Sequence, residues 1–194
     1  MRRFFFPLAI SVSLTSLFSV GARSADAGDP YLNVLGNPAP EWEVRDWINS
    51  KPLTLKGFRG RVVLIRWWTG PDCPYCSASA PVLSELHHRY KDKGLVVIGF
   101  YHHKEAGPVN PEDVARLGKK MGLDFPLAID PDWKTLKRYW LERASNAEWT
   151  SVSFLINQEG VVRYIHPGGT ISHGDGEELK RQIEELLHKG GRKQ

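Results

Sequence analysis

The chain has 194 residues, of which 41% are hydrophobic, 25% charged and 11% aromatic, with 18 Gly and 13 Pro. That mixture excludes disorder, collagen and low-complexity tracts. The formal charge of +4 comes without any Lys/Arg cluster interleaved with aromatics, so nucleic acid is not an expected partner.

Residues 1–27 read as a secretory signal peptide. Arg2 and Arg3 give a positive start, and Phe4 to Val20 is a mostly apolar run broken by Pro7 and several Ser and Thr. Ala25, Asp26 and Ala27 fit the small-x-small cleavage pattern, which predicts a cut before Gly28. An uncleaved anchor helix is the alternative, but the run falls short of the roughly 20 apolar residues a span needs. No Cys stands near the cut to carry a lipid. The mature chain is therefore expected in the periplasm or outside the cell, with no stable membrane insertion. Losing Arg2, Arg3, Arg23 and Asp26 brings its charge close to neutral.

Residues 28–36 form a short leader, and 37–190 are long enough for one domain of ordinary size, expected as a monomer, with 191–194 a disordered tail. Glu41–Trp47 and Pro52–Leu55 read as short strands. Val62–Trp68, an apolar run of β-formers, reads as a central strand covered on both faces. After a turn at Gly70, Pro71 and Asp72, a helix is predicted from about Pro74 to Tyr90. Ala78, Val82, Leu86 and Tyr90 mark its inner side, and Pro81 inside it should kink it.

Leu95–Tyr101 is a second buried strand. Asn110 and Pro111 start a helix whose apolar side is Val114, Leu117 and Met121, and Gly122 stops it. Phe125–Ile129 reads as a strand. Asp130 and Pro131 open a short helix with Trp133, Leu136 and Trp140 on one face. Val152–Ile156 and Val161–His166 form a hairpin around Asn157–Gly160. A last helix follows Asp175, with Glu178 completing a capping box and Leu179, Ile183, Leu186 and Leu187 turned inward. This order predicts an α/β domain, a mixed sheet layered by helices.

The two cysteines of the chain, Cys73 and Cys76, stand between a buried strand and a helix start. Free backbone N–H groups and the helix dipole at such an end stabilise a thiolate on the first cysteine. One helical turn later, Cys76 is near enough to resolve a mixed disulfide. A structural disulfide is a weaker reading, because so short a loop stabilises by only about 2 kcal/mol. Half of a zinc or copper site would need further ligands, and only His87, His88, His102 and His103 offer them.

Beyond this pair, the chain resembles the thioredoxin-like thiol-disulfide oxidoreductases, in particular the exported TlpA/ResA type, over roughly Asn37 to Lys189. The resemblance rests on Pro38, Ala39 and Pro40 before the first strand and on Leu55–Arg61 leading into Val62–Trp68. It continues through the Cys-x-x-Cys, Pro81 five residues after Cys76, the helix and strand between Pro111 and Ile129, Phe154–Gly160, and His166–Gly169. It implies a thioredoxin fold with an N-terminal strand extension and the helix-strand insertion of that type. It also implies redox exchange with no cofactor and no resident metal. Cys73 would attack and Cys76 resolve, with protein dithiol or disulfide clients and a redox partner protein.

Pro74 and Tyr75 would tune the pair, with Trp68, Asp72, Thr150 and Ser151 as supporting neighbours and His102 as a proton relay. The chain departs from the family at four places: Asp72 where Trp is usual, Ser79 where ResA-like members carry Glu, Arg66 near the buried acid of plain thioredoxin, and Ser151 where a cis-proline is usual. The Thr150–Ser151 bond is expected to be trans, since a non-proline cis bond costs about 2.5–4 kcal/mol. Arg66 is expected to pair with a carboxylate, His102 to sit in solvent unless it turns toward the cysteines, and His166 to be a turn residue. Two rival functions are a thiol peroxidase, with Thr69 near the attacking sulfur, and a copper-binding assembly factor using Cys73, Cys76 and a histidine.

Overall fold

The computed structural model describes residues 31–191 except 106, 131 and 146. The proposed signal peptide and most of the proposed tail therefore lie outside the described residues. In chain order the elements are β1 (Trp47–Ile48), β2 (Val62–Trp68), α1 (Pro74–Tyr90), β3 (Leu95–Tyr101), α2 (Pro111–Lys120) and β4 (Leu127–Ile129). They continue with α3 (Lys134–Leu136), extended by a π-helical turn at Lys137–Leu141, then β5 (Ser153–Ile156), β6 (Val162–His166) and α4 (His173–Gly191). Among the described residues, no helix is long and apolar enough to cross a membrane.

The sheet runs β1-β4-β3-β2-β5-β6. β2, β3 and β4 are parallel, whereas β5 runs against β2, β6 against β5 and β1 against β4. Every residue of β2 and β3 is buried, as a strand covered on both faces requires. One face packs Leu64, Trp68 and Val97 against Leu83, Leu86 and Leu179. The other packs Ile65, Trp67 and Phe100 against Leu136, Tyr139 and Trp140. The thioredoxin-like α/β architecture and its inserted α2–β4 unit are thus present.

Local expectations fail where side chains capture backbone groups. Most of Glu41–Trp47 and all of Pro52–Leu55 lie outside any strand, so the N-terminal extension shrinks to the two residues of β1. The Glu41 carboxylate accepts from the N–H groups of Leu55 (2.6 Å) and Lys56 (3.1 Å), and the Trp42 indole donates to the Leu53 carbonyl. These bonds tie the two segments side by side without a ladder. The leader is anchored as well: Val34 is fully buried and Gly36 N–H donates to the Val162 carbonyl.

Helix α1 buries Cys76, Ser79, Ala80, Leu83, Leu86 and Tyr90, whereas Ala78 is exposed and Val82 half-buried. Its inner face is turned so that Ser79 can reach Arg66 on β2, a demand invisible to apolar periodicity. Helix α4 begins at His173, before Asp175, and its reciprocal cap is Ser172 with Asp175. Ser172 N–H donates to the Asp175 carboxylate, and Asp175 N–H to the Ser172 hydroxyl. Glu178 instead binds Arg181 and Gln182.

Candidate active site

β2 ends at Trp68, the chain turns through Thr69–Asp72, and α1 begins at Pro74. Cys73 is the residue capping that helix. Its Sγ accepts from Cys76 N–H at 3.3 Å, as expected of a group at a helix N-terminus, and Pro74 fills the first helical position where no N–H is needed. Cys73 and Cys76 form a disulfide with Cα atoms 5.3 Å apart. Cys73 is half-buried, but Cys76 is only 3% exposed. The outer sulfur is therefore the one a partner can reach, and the inner one faces the core.

Cys73 borders a groove of about 580 Å³ that Asp72, Tyr101 and Lys104 also line. With Cys76 it also borders a cleft of about 250 Å³ on the opposite side, where His102, Lys104, Glu148, Trp149, Thr150 and Ser151 meet. The residues expected from sequence to surround the pair are thus brought together. Trp68 lies beneath it in the core and Asp72 is exposed at the turn. Lys104, Glu148 and Trp149 join the cleft without any motif to mark them; the available signals were that Glu148 and Trp149 stand in the loop that lacks the proline and that Lys104 follows His102 by two residues.

That loop is held by the bonds it makes. The Thr150–Ser151 bond is trans, and no cis peptide occurs among the described residues. Ser151 Oγ accepts from Gly169 N–H at 3.1 Å, Trp149 O accepts from the Trp140 indole at 2.9 Å, and Val152 O from Trp67 N–H. Gly168, at φ +132°, lets the chain pass beneath Trp149, because a Cβ there would strike Trp149 Cβ.

His102 does not sit in solvent. It is 1% exposed, stands edge-on to Trp133, and among the described residues neither ring nitrogen has a hydrogen-bond partner. Burial, helped by Lys104, pushes its pKa down to about 3, so the ring is neutral at physiological pH. His166 is not a solvent-exposed turn residue: it ends β6, is 5% exposed, and has Nε2 3.6 Å from the Asp175 carboxylate. Burial and Arg66 lower its pKa despite Asp175, so the contact is one of a neutral imidazole with a carboxylate.

Among the described residues, Arg66 has no carboxylate partner, contrary to expectation. Its guanidinium donates to Ser153 Oγ (3.1 Å), Ser79 Oγ (3.2 Å) and the Gly169 carbonyl (2.6 Å), with His166 Nδ1 at 3.4 Å. Every one of these acceptors is neutral. β2 and the paired β5 and β6 leave no acid within reach.

Two observations bear on the rival chemistries. The hydrogen-bond contact of the Thr69 hydroxyl is with Cys76 Sγ, the inner sulfur, at 3.7 Å, rather than with the attacking Cys73 that a peroxidatic site would engage. Among the described residues, no group of three or more His, Cys, Asp or Glu side chains has the spacing to hold a metal ion. His87 packs on Phe125 and His88 pairs with Asp124, so of the candidate histidines His102 is the one that borders the cleft with both cysteines.

The sequence matches the AhpC/TSA family over residues 35–165. The thiol-disulfide oxidoreductase ResA of Bacillus thuringiensis subsp. konkukian is 31% identical over 157 residues, 80% of this chain and 78% of ResA. Protein DipZ of Mycobacterium bovis is 32% identical over 148 residues, 75% of this chain, but the chain spans only 20% of DipZ's length. A solved thiol-disulfide isomerase from Corynebacterium glutamicum superposes with a TM-score of 0.58 at 23% identity, covering 77% of this chain and 96% of that one, a likeness of fold. With the redox pair at the helix start and these matches, the chain belongs to the AhpC/TSA family, among its thioredoxin-like thiol-disulfide oxidoreductases.

Proposed function

We propose that this protein exchanges its Cys73–Cys76 dithiol and disulfide with thiols of partner proteins outside the cytoplasm. Cys73 is the attacking sulfur and Cys76 the resolving one. The observation that carries this assignment is the asymmetry of the pair: Cys73 caps α1 at the mouth of two grooves, while Cys76 is buried beneath it.

In the reducing direction, the Cys73 thiolate attacks a client sulfur, a mixed disulfide forms, and one client sulfur leaves with the electron pair of the broken bond. Cys76 then attacks Cys73 Sγ, releasing the second client thiolate and closing the Cys73–Cys76 bond. A separate redox protein returns the pair to the dithiol. Pro74 and Tyr75 shape the helix start, and Thr150 and Ser151 offer the backbone along which a client segment lies. His102, a neutral imidazole bordering the cleft, would relay a proton only through a client group that reaches its unpartnered ring nitrogens. Export rests on the pattern of residues 1–27, with the domain at 37–190 acting as a monomer.

The test is trapping. Cys76→Ser should accumulate covalent adducts with client proteins that dissolve on adding dithiothreitol, and Cys73→Ser should give none. Adducts forming equally on both variants would refute the division of labour. A rapid stoichiometric loss of the dithiol with micromolar hydrogen peroxide would replace it with a peroxidase.

A further inference from the structure

β2 carries two buried donors that have nothing to bond. Arg66 and Trp68, two residues apart and so on one face of the strand, are 1% and 3% exposed. Among the described residues, Arg66 Nε and Trp68 Nε1 have no hydrogen-bond partner. Both residues line, with Cys76, a cavity of about 10 Å³ roofed by Leu83 and Phe125. The lining is mostly apolar, and Arg66, Trp68 and Cys76 are the residues on it that carry a polar group or a thiol.

A buried cation without an anion is costly, and burial alone lowers Arg66 to about 9. Its contacts, Ser153, Ser79, Gly169 and His166, supply hydrogen bonds but no charge. Asp175 contacts neutral His166, not Arg66. On the other side of the sulfur pair, the outer cleft holds His102, Lys104 and Glu148. The one group able to become an anion on the cavity's wall is Cys76.

We propose that Arg66 is a positioning residue for the resolving thiol, its charge acting across this cavity to stabilise the Cys76 thiolate. The inference rests on the exchange reaction proposed above and extends it to the step after client capture. In the mixed disulfide, Cys76 gives up its proton, and its thiolate attacks Cys73 Sγ. The Cys73–Cys76 bond forms, the Cys73–client bond breaks, and the client sulfur leaves with the electron pair and takes a proton. In the opposite direction Cys76 is the leaving sulfur, and the same cation favours its departure. A cation here shifts the pair toward the dithiol, because only the reduced form offers an anion to meet it.

The test compares wild type, Arg66→Met and Arg66→Lys in equilibrium with reduced and oxidised glutathione. Arg66→Met should move the equilibrium at least tenfold toward the disulfide, about 30 mV for this two-electron couple. It should also slow client release from the mixed disulfide and raise the pH at which thiolate absorbance appears. Arg66→Lys should recover most of each change. A folded Arg66→Met with the wild-type equilibrium, or an Arg66→Lys displaced as far as Arg66→Met, overturns the inference and leaves the exchange reaction standing. Wild type that never equilibrates with glutathione overturns both.

A second measurement avoids the variants. On reduction of wild type, the Arg66 Nε–H and Trp68 Nε1–H resonances should move, whereas the Trp67 indole, bonded to Asp130, should stay. Resonances of Arg66 and Trp68 that do not move overturn the inference even if Arg66→Met fails to fold.

Discussion

The ring of Trp149 meets that of Tyr75 edge-on, with centroids 5.2 Å apart, and the pair walls the cleft beside Cys73. Both rings are large and unusually open, Tyr75 39% and Trp149 42% exposed. An exposed aromatic pair beside a reactive sulfur offers apolar area to a client chain at little cost in side-chain freedom. Trp149→Ala should slow exchange with a protein disulfide about fivefold, from roughly 1 kcal/mol of lost contact. Exchange with glutathione, too small to reach across both rings, should fall less. Parallel rate measurements with the two substrates check this, and an equal fall in both would mean that Trp149 only supports the loop.

His102 makes the protein acid-sensitive. Its folded pKa of about 3 lies below the ordinary 6.5, so between these values the unfolded chain binds a proton that the folded one refuses. Stability is complete above about pH 6.5 and is lost as pH falls toward 3, by about 2 kcal/mol at pH 5. His166 and His87 are lowered too and act in the same direction. Urea titrations at pH 7.5 and pH 5 should show the loss in wild type. His102→Leu, which removes two unsatisfied nitrogens, should show a loss smaller by about that 2 kcal/mol.

Asp130 holds the second layer of helices to the sheet. It is fully buried at the end of β4, where its carboxylate accepts from the Trp67 indole (3.1 Å), Thr135 N–H (3.1 Å) and Leu136 N–H (2.9 Å). Asp130→Ala strands three donors in the core and should cost about 3 kcal/mol in denaturant unfolding. The Tyr139 and Trp140 layer packed on Trp67 should loosen, visible as a change in tryptophan fluorescence before the global transition.

Gly118 reverses a general rule. Gly to Ala inside a helix ordinarily stabilises by about 1 kcal/mol. A Cβ at Gly118 would lie 2.6 Å from Leu127 Cδ1, and Leu127 is fully buried on β4 with no room to retreat. Gly118→Ala should therefore destabilise by about 1–3 kcal/mol, read as a lowered thermal midpoint.

The sequence by itself determined the redox pair and the scaffold around it. Strand, turn, Cys-x-x-Cys and helix are local features: the alternation of apolar runs with capping and turn residues follows from short-range sterics and hydrogen bonding. So the end of β2, the start of α1, the α2 cap at Asn110 and the closing hairpin are legible without coordinates. The tertiary structure decided everything that depends on which side chain meets which across the sheet. Arg66 meets hydroxyls, a carbonyl and an imidazole because the strands and loops that reach it carry no acid. His102 is buried because Trp133 covers it, and the strands expected near Glu41 and Pro52 give way because the Glu41 carboxylate binds backbone groups fourteen and fifteen residues away. Burial and pairing belong to the packed whole, since a charge or an imidazole takes its properties from neighbours distant in the chain.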